Sequence, residues 1–165
     1  MASAKNVVLQ QLGSSDFVLM QMLTDLSDEE YFKPPVKNGN HAAWIVGHIA
    51  VSEDSMTADL TGRPKRIDEA THALFKSGST CHADASKYPP RKRLDELYRH
   101  SRAHAVEALK MYDESKWDSP APGGYPTELF PTRGSVWGLM ANHPFWHIGQ
   151  LAVCREVLGK KRVLG

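Results

Sequence analysis

Apolar residues recur at alternating three- and four-residue steps in four separate stretches of this chain, and seams of that kind are buried only when helices pack against one another. The first runs from about Lys5 to Leu26, with Val8, Leu12, Ser15, Leu19, Met22 and Leu26 in line. Gly13 inside it costs about 1 kcal/mol relative to alanine. Ser27-Asp28-Glu29-Glu30 then has the form of a capping box, so the spacing predicts a short helical turn that Pro34-Pro35 stops. The second stretch starts near Asn40 as N-cap and runs to about Leu60, with Trp44, Ile45, His48, Val51, Ser52 and Met56 on its inward stripe. The third runs from about Pro90 to Asp113 along Leu94, Leu97, Tyr98, Ser101, Ala105, Ala108 and Tyr112. The fourth spans about Gly134 to Leu158, closed by Gly159 and Lys160-Lys161-Arg162. Residues 62–89 show no sustained period, and a connection of that length is not a tight hairpin. The expectation is an all-α chain: a four-helix bundle with a long crossover between helices 2 and 3, a single domain over residues 1–165.

Length and charge narrow the function. A chain of 165 residues has one domain's worth of sequence and can bury about 70% of its unfolded surface. Lys and Arg total 20 against 19 Asp and Glu, a net charge of +1 without the cationic surplus that phosphate binding needs. Nucleic acid is therefore not the expected partner. No apolar run reaches the roughly 18 residues of a membrane span, and MASAKNVVLQ lacks the apolar block of a secretory signal. Cys81 and Cys154 are far apart, with no C-x-x-C, which suits reduced thiols in a cytoplasmic protein; the expected partner is a small-molecule substrate.

The eight histidines ask for an explanation. Chance placement gives roughly 0.4 pairs at four-residue spacing, so the pair His143 and His147 matters by position rather than by number. The fourth seam reads Val136, Met140, His143, His147, Gln150, Cys154, Val157, which turns both imidazoles inward and one helical turn apart. Buried imidazoles need a partner or a metal, since an unsatisfied polar group costs about 1–3 kcal/mol. His48 occupies the same kind of place on helix 2. Three imidazoles with no thiolate describe an open metal site, with positions left for water or substrate.

Other candidates are weaker. His100 and His104 are four apart on helix 3 but lie off its apolar stripe and are expected at the solvent margin. His41 is two turns from His48, and His72 and His82 lie in the long connection. Glu53 and Asp54 point away from His48 and read as exposed charges, with a supporting or base role open to either; Ser55 and Asp59 lie on its side. Cys154 reads as a packing thiol, Gln150 as a residue that orients a ligand or a helix neighbour, and Trp44, Trp137 and Trp146 as bundle filler ahead of pocket walls. Pro144 should kink or bulge the last helix at the paired histidines, with a break the alternative and a bulge the favoured outcome.

Two segments carry a resemblance. Asn40-His-Ala-Ala-Trp44-Ile-Val-Gly47-His48 and His143-Pro-Phe-Trp-His147-Ile-Gly149-Gln150-Leu resemble the second-helix and last-helix signatures of the DinB/YfiT-like metalloenzymes. That resemblance implies an up-down-down-up bundle, a divalent metal (Zn, Ni, Fe or Mn) on His48, His143 and His147, and a homodimer. It also implies a thiol-dependent S-transferase using a low-molecular-weight thiol as cosubstrate. A hydrolase with the same ligands and a non-catalytic metal- or ligand-binding bundle are the alternatives.

Overall fold

The computed structural model describes residues 3–163, and among them all regular structure is helical apart from one isolated bridge between Pro120 and Thr132. Four long helices, α1 (Ala4–Leu23), α3 (Ala42–Thr61), α5 (Arg91–Met111) and α6 (Arg133–Val157), are joined by segments that contain two short ones, α2 (Asp28–Tyr31) and α4 (Glu69–Phe75). Within α1 the buried positions are Val8, Leu12, Ser15, Leu19, Met22 and Leu23, so the predicted seam is the packed face; Leu26 lies beyond the helix end and is buried as well. The capping box at Ser27 forms as expected, its hydroxyl accepting from Glu30 N while the Glu30 carboxylate accepts from Ser27 N at 2.7 Å.

Several expectations need correction. The N-cap of α3 is His41 rather than Asn40: the His41 Nδ1 accepts from Trp44 N at 3.0 Å. The connection at 62–89 contains α4, which Asp68 caps; seven residues are too few to show a period, and the Asp68-x-x-Thr71 cap was its one local signal. Glu53 and Asp54 are buried, not exposed, because α3 packs on α5, α6 and α4 together and has little free face. His104 is likewise buried, since α5 lies against both α3 and α1 and its covered face is wider than one stripe; His100 is exposed as expected. Trp137 fills the core, but Trp146 is exposed.

Along every long helix the apolar contacts fall into two halves. Leu19, Met22, Ile45, Ile49, Leu94, Tyr98 and Leu151 belong to one; Val8, Leu12, Met56, Leu60, Ala105, Leu109, Trp137 and Met140 belong to the other. Between them lies a buried polar level built from Ser15, Glu53, Ser101 and Arg102. Arg102 grips Glu53 through Nε and Nη2 and donates to the Leu12 carbonyl and Ser15 Oγ through Nη1, so the ion pair has its remaining donors satisfied. Ser101 Oγ donates to the Ala50 carbonyl at 2.7 Å. No helix among the described residues is long and apolar enough to cross a membrane.

Candidate metal centre

His48 is positioned by the residues around it on α3. Gly47 has no side chain, and a Cβ there would lie 2.4 Å from the Phe75 ring, so glycine is what lets the end of α4 settle on α3. That contact places the Phe75 carbonyl 2.7 Å from His48 Nδ1. A carbonyl only accepts, so Nδ1 carries the proton and the lone pair sits on Nε2. Trp44, one turn earlier, stacks on the His48 ring at 4.7 Å and 8°, and its indole N–H donates to Ser79 Oγ. The filler role expected of Trp44 is thus a positioning one.

The second half of the cluster comes from α6. Pro144 neither breaks this helix nor opens a bulge in it: α6 is continuous, and Pro144 itself is buried. His143 and His147 therefore stay on one face, with their Nε2 atoms 3.0 Å apart. His147 Nδ1 lies 3.1 Å from Gln150 Oε1, which also accepts from Asn40 Nδ2, so an amide oxygen sets this tautomer as the Phe75 carbonyl sets that of His48. Asn40 and Gln150 thereby tie the two motifs together across the helices, and Cys154, free and buried, donates to the Asn40 carbonyl.

The three rings meet at their Nε2 edges. His48 Nε2 is 3.2 Å from His143 Nε2, and the nearest ring nitrogens of His48, His143 and His147 all lie within 4.8 Å of one another. The ring planes cross at 65° to 82°, so the in-plane lone pairs converge instead of stacking. In a tetrahedral site with metal–nitrogen bonds of about 2.0–2.1 Å, ligand nitrogens sit about 3.3 Å apart. Lone pairs fixed on His48 and His147 face a third imidazole, and one proton on His143 is the most that could sit among them. His143 Nδ1 is meanwhile buried without a partner. A cation satisfies all three at once, and the donor set fits a divalent transition ion.

Electrostatics agree. Burial, together with the neighbouring His147 and His48 rings, depresses the His143 pKa to about 3. Burial and His48 depress His147 to about 4, with Gln150 opposing. Burial also lowers His48, against the pull of the Phe75 carbonyl. All three are neutral near pH 7, the form that binds metal.

A cavity of about 300 Å³ opens onto His48 and His143, lined also by Ser52, Ser55, His72 and Lys76. Concavities of about 680 and 610 Å³ lie elsewhere on the surface, but neither is lined by a histidine. His41 and His82 do not join the trio; His41 is buried as a helix cap, with its Nε2 3.0 Å from the His82 carbonyl. Asp59 accepts from the Tyr125 hydroxyl, away from the histidines. The Phe75 carbonyl and the pairing of Asp54 with His72 Nε2 at 3.1 Å were beyond sequence reasoning, because a backbone acceptor leaves no residue signal and the pair joins different elements.

No curated protein matches the chain. The family model of the DinB superfamily matches residues 18–151. Because that match runs from within α1 to Leu151 on α6, and so takes in the three converging histidines and the residues that orient them, this chain belongs to the DinB superfamily.

Proposed function

We propose that the chain is a metal-dependent S-transferase that joins a low-molecular-weight thiol to a small electrophile, with His48, His143 and His147 as the ligands of a divalent ion. The observation that carries this reading is the convergence of three neutral imidazole edges beside a cavity. A divalent cation held there lowers the pKa of a thiol or water that reaches it. The Phe75 carbonyl and Gln150 hold two of the rings in the ligating tautomer, and Trp44 keeps the His48 ring from turning. The cavity is at the small end of ligand sites and has room for a compact substrate, which favours turnover over a closed binding module. A hydrolase would use the same three ligands.

The architecture in this reading is one domain over residues 1–165, an up-down-down-up four-helix bundle with its crossover between α3 and α5. The pairing of α1 with α6 and α5, and of α3 with α5 and α6, suits that course. It acts in the cytoplasm, in keeping with two free cysteines, and as a homodimer through the outer face of α1 and α6, where Phe17, Trp146, Val153 and Val157 are exposed and Gly149 leaves open space.

The test is elemental analysis of the purified wild type beside His48→Ala and His147→Ala. One equivalent of metal is expected in the wild type and almost none in either variant; equal content in all three overturns the site. Conjugation of mycothiol, bacillithiol or glutathione to 1-chloro-2,4-dinitrobenzene, dependent on the metal, is then expected with at least one thiol.

A further inference from the structure

The buried pair Asp54 and His72 is not used by the metal centre, yet His72 lines the same cavity. Asp54 projects from α3, and its carboxylate accepts from Arg66 N at 3.0 and 3.2 Å and from Ile67 N at 3.1 Å. His72, on α4, brings its Nε2 to 3.1 Å from Asp54 Oδ2, with both side chains almost wholly buried. A carboxylate anchored by backbone N–H groups accepts, so Nε2 is the donor and the lone pair of His72 is on Nδ1. That Nδ1 has no protein partner among the described residues, yet it is not one of the sealed-off polar atoms, as His143 Nδ1 is. His72 lines the cavity together with His48 and His143, which makes that space the nearest described route by which its unpartnered Nδ1 would meet a substrate.

Pinning the 62–68 segment to α3 is already done by the two backbone donors to Asp54. What His72 adds is an imidazole in the wall of the cavity with its free lone pair on Nδ1, and a carboxylate behind it to stabilise the imidazolium that would form on taking a proton. Lys76 and the side chains of Ser52 and Ser55 line the same space and supply polar contacts to a protic ligand.

We propose that His72 Nδ1 is the general base of this site, and that Asp54 is its positioning residue. Resting on the function proposed above, the step is a single proton transfer: the S–H bond of the incoming thiol breaks, its electron pair stays on sulfur, and a new N–H bond forms on His72, whose charge the Asp54 carboxylate balances.

Two measurements on the full chain test this. The first needs neither metal nor substrate: nitrogen NMR of the histidine rings is expected to show His72 protonated on Nε2 and bare on Nδ1, with the preference lost in Asp54→Asn. A proton on Nδ1 overturns the inference. The second is calorimetric titration of 2-mercaptoethanol into zinc-loaded protein in buffers of different ionisation enthalpy. If His72 keeps the proton, wild type releases about zero protons per thiol bound and His72→Gln about one, with zinc content equal in both. Equal release from both overturns the base assignment. Wild type that retains zinc but binds no thiol overturns the transferase reading instead, and the base then stands or falls on the ring tautomer.

Discussion

His143 has the least support of the three converging residues: its Nδ1 is buried without a partner, whereas a carbonyl holds His48 and an amide oxygen holds His147. Removing such supporting acceptors typically costs 10–100-fold in metal affinity, so Gln150→Ala is expected to weaken zinc binding by that factor in a competitive chelator titration. The pH response follows from the same rings. Each binds a proton more weakly when folded than the ordinary value of about 6.5, so the unfolded chain gains protons first as the pH falls. The contribution to stability is complete above about pH 6.5 and is lost progressively toward the folded values of about 4 for His147 and about 3 for His143. Urea midpoints measured between pH 7.5 and pH 4.5 on metal-free protein are expected to fall, and to fall less when His143 is replaced by phenylalanine.

At the level of the helix, α6 shows how far a seam in the sequence can be trusted. Its predicted line runs through Gln150 and Val157, both exposed, while the buried residues are Gly134, Val136, Trp137, Met140, Ala141, Pro144, His147, Leu151, Cys154 and Arg155. The covered face is centred to one side of that line, through Trp137, Ala141, Pro144, Leu151 and Arg155, so the line runs along its edge, with Gln150 and Val157 outside it and Cys154 inside. His143, half-buried, and His147, buried, lie along that same edge on one face of the helix. The joint between α3 and α4 was not legible: nothing local says that Phe75 will lie over Gly47. Gly47→Ala is therefore expected to displace Phe75, destabilise the fold by about 1–3 kcal/mol and reduce zinc affinity, because the His48 acceptor moves with the ring. Thermal denaturation and chelator competition on the one variant read both effects.

For the molecule as a whole, the polar level at Glu53 and Arg102 ties α3 to α5 and, through the Leu12 carbonyl and Ser15, to α1. Burial raises the Glu53 pKa, and the Arg102 guanidinium opposes that shift. Arg102→Met leaves a buried carboxylate without its counter-charge and is expected to cost about 3–5 kcal/mol in denaturant unfolding, whereas Glu53→Gln with Arg102→Met together should cost less. If the homodimer forms as proposed, Trp146→Glu on the exposed face of α6 shifts sedimentation toward the monomer without loss of zinc. The four long helices, the packed face of α1 and the three histidines that converge were legible before any fold was known, since a periodic apolar pattern and a four-residue spacing are properties of one helix and are written locally. Packing between segments settled instead that Glu53, Asp54 and His104 are buried, that the Phe75 carbonyl orients His48, and that His72 lines the histidine cavity. Those facts depend on which faces of separate helices meet, and no single segment encodes that.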